Sequence, residues 1–494
     1  MLRSTSGKTW TERTVGGMVV LLILAFAVGC RGQRQDASLG QLPLRQELAV
    51  FSKSTSPRSA LAKVPRGPFG LSLVSSLSGK PLSIENFAAS SSCAECHERQ
   101  YKEFKGSMHS VAHTDRLYRR TAELALREAG PEVYALCAGC HAPQGVSSGL
   151  IPKLSDDKLP AIAKAGIICD VCHQIGKLTG THGPFAEPGN ASFVFDPDEE
   201  RKFGPPTGDD AAADHPVKTR AFLQSSEFCA SCHTVIHPTN GLRIEHTYDE
   251  WKRSVYAERK IQCQDCHMRS VAQAIEVART LKPQPLIGKS TAEGKPRPIA
   301  MHSFVGGNAN ADLLGGGADH AKIAEARLKS AARLKLSAAR IGATRMRIEV
   351  AVTNVGAGHH LPTSLTELRE IWVELKVFDA RRQLLFHAGK LDAGGEIDRL
   401  AMRFGARAAD QHGKVTFKPW EITHFVFKRL IPAKQTARDA FLVALPNGAH
   451  GPLSIEATLL YRSAPPALVK ALIGKDAPEL RVTTMATART TLAL

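Results

Sequence analysis

Across residues 338–494 apolar and polar positions alternate. Ile348, Val350 and Val352 are interleaved with Arg347, Glu349 and Ala351, and the same period recurs in Ile371, Val373, Leu375, Val377 and in Leu453, Ile455, Ala457, Leu459. A period of two buries one strand face and wets the other. Several such runs parted by Gly, Asn and Asp turns predict an antiparallel β-sandwich of roughly 150 residues. Residues 91–308 hold neither a strand nor a helix period for long, so only short helices and loops are expected there, punctuated by Gly183-Pro184 and Gly204-Pro205. Between the two, within residues 309–337, the Ala-, Lys- and Arg-rich stretch Ala318–Leu336 predicts a helix running into the first strand. Residues 30–90 scatter Ser, Gly, Pro and basic residues and read as a tether, with a short helix around Leu42–Ser52. The expected fold class is α+β multidomain.

Cysteine changes this picture most. Five Cys-x-x-Cys-His motifs fall within 175 residues: Cys93, Cys96, His97; Cys137, Cys140, His141; Cys169, Cys172, His173; Cys229, Cys232, His233; and Cys263, Cys266, His267. Two thiols so spaced can form thioethers to the vinyl groups of haem, and the next residue places an imidazole beneath the iron. Zinc clamps and redox dithiols also use Cys-x-x-Cys, but neither demands a histidine immediately after. Histidine is 19 of 494 residues. At that frequency its presence after all five pairs has chance odds on the order of one in ten million. Five covalent haem c groups are therefore expected. Successive first cysteines stand 44, 32, 60 and 34 residues apart. That leaves so little polypeptide per cofactor that haem faces must supply much of the buried apolar surface. The first domain, 91–308, is thus read as a haem-packed cytochrome domain without a normal side-chain core.

Ten of eleven cysteines are used in this way, which leaves Cys30 and no expected disulfide. Arg3, Lys8 and Arg13 precede an uncharged stretch from Val15 to Gly29. It is shorter than the roughly 18 apolar residues of a spanning helix and reads as a signal peptide, residues 1–29. Ala27-Val28-Gly29-Cys30 resembles a lipobox that would leave Cys30 as a lipid anchor, while Ala25-Phe26-Ala27 offers an ordinary cleavage site. The formal charge of +17 falls to roughly +10 in an oxidised and +5 in a reduced five-haem protein without its leader. That balance suits acidic partners or anionic membrane surfaces better than nucleic acid.

The segments around the motifs carry a resemblance. CAECHERQYKEFKGSMHS, GIICDVCH, SEFCASCHTVIHP, TYDEWKRSVYAERKIQCQDCHM and HSFVGGN are similar to the multihaem cytochromes related to hydroxylamine oxidoreductase and its tetrahaem electron acceptor. NVGAGHHLPTSLTELREIW resembles the G-H-x-L-P-T segment of β-domains attached to them. The likeness covers about residues 90–380. It departs from the catalytic relatives in two ways: no motif ends in Lys, as the catalytic haem of pentahaem nitrite reductases does, and the haem count of hydroxylamine oxidoreductase is not reached.

Conduction or catalysis depends on the far side of each iron, where a histidine gives a low-spin carrier and a vacancy admits substrate. Nine histidines outside the motifs compete for five positions. The matching segments favour His109 over His113, His215 over His182, and His302, whose following glycines allow close approach of backbone. His246 competes with His237. His359, in a turn shaped by Gly356, Gly358 and Pro362, is favoured over His360 and would lock the β-domain to an iron. Met108 and Met268 read as packing residues.

The expected function is single-electron transfer by a lipid-anchored pentahaem cytochrome, on the periplasmic side of a bacterial membrane or at the outer surface, with redox proteins as partners. An oxidoreductase acting on a small nitrogen or sulfur compound at one open haem is the alternative. A third possibility is stacking into an oligomer or filament through a histidine donated between copies.

Overall fold

The computed structural model describes residues 69–179, 187–197, 201–206, 215–286, 288–289, 291 and 299–494. The leader, Cys30, the Leu42–Ser52 helix and His182 lie outside them.

The chain has helices and antiparallel sheets, with a motif-bearing part followed by a sheet-rich part. In the first part, helix α1 is Glu98–Lys105, α2 Arg116–Ala129 and α3 Pro131–His141. Asp115 caps α2 by accepting a hydrogen bond from the Tyr118 N–H at 3.0 Å, and Gly130 (φ 89°) ends it. Pro131 then opens α3, where a missing N–H costs nothing. Further along this part runs α4, Val271–Thr280, started by a reciprocal Ser270–Gln273 capping box.

Two expectations for this part need correction. Residues 69–90 are not tether: Phe69, Val74 and Phe87 are buried in one cluster with Tyr134, Val146, Ile168, Phe193 and Phe195. Ser75–Ser76 pairs in parallel with Val194–Phe195, and the Ala88 N–H donates to Asp170 Oδ2 at 2.7 Å. That cluster is also a side-chain core, and it reaches into the second and third motifs through Ala138 and Val171. Aromatic residues widely separated in sequence build it, so no local period announced it.

Helix α5, Ala318–Ala331, leads directly into strand β1, Ala332–Ile341. The sheet region therefore starts six residues before Ala338. Leu334 and Leu336 pair with Val352 and Val350 of β2, Arg345–Asn354, and β7, Thr436–Ala444, pairs with the other side of β2. The facing sheet has the order β6-β5-β3-β8-β9, with β4 also paired to β3. These strands are β3 Glu370–Phe378, β4 Leu384–Ala388, β5 Met402–Ala409, β6 His424–Arg429, β8 Leu453–Arg462 and β9 Thr483–Leu492. A short helix, α6 (Pro466–Ile473), lies between β8 and β9. Met346, Ile348, Val350 and Val352 from one sheet meet Val373, Leu375, Val377, Leu453 and Ile455 from the other, all fully buried in a single core. Burial of each such side chain contributes about 1.5–3 kcal/mol. This pattern is what the alternation predicted.

Candidate haem sites

Each motif is wound as one helical turn. The N–H groups of His97, His233 and His267 donate to the carbonyls of Cys93, Cys229 and Cys263, each at 2.9 Å. The second motif ends α3, and the third is itself the short helix Cys169–His173. Residues three and four apart share a helix face, so both sulfurs and the imidazole of a motif point the same way.

They point into one cavity of about 2710 Å³, lined by every motif cysteine and histidine except Cys137. A drug-sized ligand occupies roughly 300–1,000 Å³, so the space suits several large flat groups. The motifs are also neighbours across it. Cys93 lies within hydrogen-bonding reach of Cys169, Cys140 of Cys232, and Cys229 of Cys263. The fourth motif thereby touches both the second and the fifth, and Cys172 of the third is close to Cys232.

Four motif histidines face a histidine from elsewhere. Ring centres are 6.2 Å apart for His97 and His215, 6.3 Å for His233 and His109, 6.4 Å for His173 and His302, and 6.2 Å for His267 and His359. Two metal–imidazole bonds of about 2 Å, plus roughly 1.1 Å from each nitrogen to its ring centre, require about 6.2 Å. The spacing and the donor set fit an iron held between paired imidazoles.

Protonation agrees. The carbonyls of Ala112, Phe203 and Val305 accept from Nδ1 of His141, His173 and His267 at 2.7, 2.7 and 2.9 Å. Those of Ala300 and His360 accept from Nδ1 of His302 and His359 at 3.0 and 2.9 Å. A carbonyl cannot donate, so Nδ1 carries the proton and Nε2 keeps its lone pair. Burial pushes His109 and His267 down to about 3 and His141 and His302 to about 4, which keeps these rings neutral. His233 differs: burial lowers it, but its hydrogen bond to Glu245 and that carboxylate's charge carry it up to about 9.

His141 is placed otherwise. Tyr118 stacks on its ring at 3.8 Å and 7°. Among the described residues no histidine stands across from it at the spacing of the other four. His246, expected at an iron, is turned away from the cavity. Its Nε2 lies 3.0 Å from Lys428 Nζ, on a strand distant in sequence, and 3.2 Å from Glu250 Oε1, four residues on in the helix that His246 precedes. His237 reaches the Trp420 carbonyl at 3.1 Å. His113 sits beside Asp156 at 3.2 Å and Arg119 at 3.1 Å. Met108 packs against the Leu117 and Leu313 cluster. Two neighbours of the site carried no sequence signal at all: Tyr118 and Glu245.

The turn that presents His359 is tied to the cytochrome part. Glu250 Oε2 accepts from the His360 N–H at 3.0 Å and the Thr363 hydroxyl at 2.6 Å. The Asn354 amide donates to the His359 carbonyl at 2.8 Å. A Cβ at Gly356 would lie 2.4 Å from the Ser330 carbonyl oxygen, so the turn needs glycine there. Arg327 of α5 donates to the carbonyls of Cys266 and Arg269 at 2.9 and 2.7 Å, which anchors the fifth motif to the same seam.

Residues 92–174, which contain the first three motifs, match the family model described as cytochrome c554 and c-prime. No curated protein matches the chain. Among solved structures the chain is similar to a penta-haem cytochrome c552 from Thermochromatium tepidum, with a TM-score of 0.58 and 20% identity over 82% of this chain and 99% of that one. At that identity the likeness is one of architecture, and the chain carries the fold of a multihaem cytochrome c.

Proposed function

We propose that the chain is an exported, lipid-anchored carrier of single electrons that holds five haem c groups and is kin to the hydroxylamine oxidoreductase cytochromes. The observation that carries this reading is the set of four histidine pairs at 6.2–6.4 Å around one cavity. Bound haem supplies a one-electron iron couple. The chain's own residues attach it through the paired cysteines and fix the ligating nitrogens through Nδ1 partners. His97, His141, His173, His233 and His267 are the proximal ligands. His215, His302, His109 and His359 lie opposite four of them. The sulfur neighbours Cys93–Cys169, Cys140–Cys232 and Cys229–Cys263 make the attached groups neighbours too, as electron hopping requires. His359 and His267 pair within one chain, so no second copy has to supply that ligand. Cys30 is the proposed lipid site, and redox proteins are the proposed partners. Intact-mass measurement of the mature protein tests the count: five haem additions are expected, and bare cysteines or zinc would refute it.

A second reading has its own support in the absence, among the described residues, of a histidine across from His141. An open iron there would bind a small nitrogen or sulfur compound. A high-spin ferric component that shifts on adding nitrite, hydroxylamine or cyanide would favour it. A purely low-spin spectrum indifferent to all three would remove it.

A further inference from the structure

Four motif histidines have a defined Nδ1 partner. For three of them the partner is a backbone carbonyl, that of Ala112, Phe203 or Val305. For His233 it is a side-chain carboxylate, Glu245 Oε1, at 3.3 Å. Glu245 is 8% exposed and ends the strand Arg243–Glu245, whose pairing with Val235 fixes its place beside the fourth motif. The Glu245 side of the contact is buried, while the His233 ring opens onto the cavity with a 52% exposed side chain.

The two kinds of acceptor act differently on the opposite nitrogen. A carbonyl orients the ring and draws lightly on the Nδ1 proton. A carboxylate carries a full negative charge and draws that proton strongly, so the ring acquires imidazolate character and its Nε2 becomes a stronger donor to a metal. A stronger axial donor favours ferric over ferrous iron and lowers the reduction potential.

We infer that Glu245 tunes the iron held by His233, making it more reducing than the carbonyl-partnered sites would be with the same ligands. The inference rests on the reading that His233 holds a haem. Glu245 touches neither substrate nor iron and acts as a positioning and tuning residue. Its place gives the tuning weight. The fourth motif meets the second through Cys232 and Cys140, the fifth through Cys229 and Cys263, and lies close to Cys172 of the third. It is the junction of the set. An electron-rich junction separates the first and third motifs from the second and fifth, and an electron is held less firmly there than on either side.

The experiment uses the full holoprotein with Glu245→Gln, which keeps an oxygen acceptor and removes the charge, and Glu245→Ala, which removes both. Spectropotentiometric titration resolves the haem components, and pyridine haemochrome absorbance counts the haems. One component is expected to move to higher potential in Glu245→Gln and further in Glu245→Ala, with the others unmoved. No movement, or a common drift of all components, overturns the inference. If neither variant takes up haem, wild-type EPR decides. One paired-imidazole signal with a compressed g range supports the inference, and uniform signals overturn it. A wild-type haem count of zero would instead overturn the parent reading, which separates the two failures.

Discussion

The nitrogen that a buried imidazole presents is decided by what the other nitrogen touches. In His359 the His360 carbonyl takes the Nδ1 proton at 2.9 Å, which leaves Nε2 toward His267. His359→Ala is expected to turn one low-spin ferric signal high-spin at unchanged haem content, read by EPR beside haemochrome absorbance. Glu367 offers a contrasting test. Both its carboxylate oxygens are buried without a partner, and burial pushes it up to about 7. In the unfolded chain the carboxyl ionises near 4.5, so folding holds a proton there that the unfolded state releases. Its contribution is therefore present below pH 4.5 and is lost as pH rises through 7. Glu367→Gln should melt above wild type at pH 8, with the margin shrinking toward zero near pH 4.5. At this scale the sequence was most legible where chemistry is local. The proposed attachment cysteines and proximal histidines are written as contiguous motifs. Candidates for the far side depend on chain folding back: His109, His215, His302 and His359, which the segment likeness favoured, stand opposite motif histidines, and His246 does not. The partners that claim His246, Lys428 and Glu250, come from a distant strand and a short helix.

Strands were legible for the same reason that the motifs were: a period of two is a local signal with a direct physical cause. The boundary at β1 was not. Ala332–Leu336 has the alanine and basic content of a helix, and only its pairing with β2 makes it a strand. Residues 69–90 were misread because their few aromatic anchors are spaced without a period, so composition spoke for tether while tertiary packing made them core. Trp372 in β3 gauges how firmly the other face of that sheet is covered, where it packs with Ile397 and Ala401. It is fully buried, and its Nε1–H donates to the Gly389 carbonyl at 3.0 Å. Trp372→Ala should cost about 3–5 kcal/mol in chemical denaturation. Because this cluster shares no residue with the cavity lining, the ferric spectrum of the folded variant should be unchanged.

For the whole molecule, charge is the quantity that function moves. On the proposed reading, five ferric haems with ionised propionates would leave a net charge of roughly +10, and taking up five electrons would lower it to roughly +5. The reduced protein should therefore leave a cation exchanger at lower salt than the oxidised protein at the same pH. Identical elution would mean that protons follow the electrons in. The closeness of Cys93 to Cys169, Cys140 to Cys232 and Cys229 to Cys263 also constrains how the protein can be made. Bare thiols that near each other would couple oxidatively in any disulfide-forming compartment. On the proposed reading, porphyrin would have to be stitched to each segment before these cysteines meet, and biogenesis would be a race between ligation and collapse.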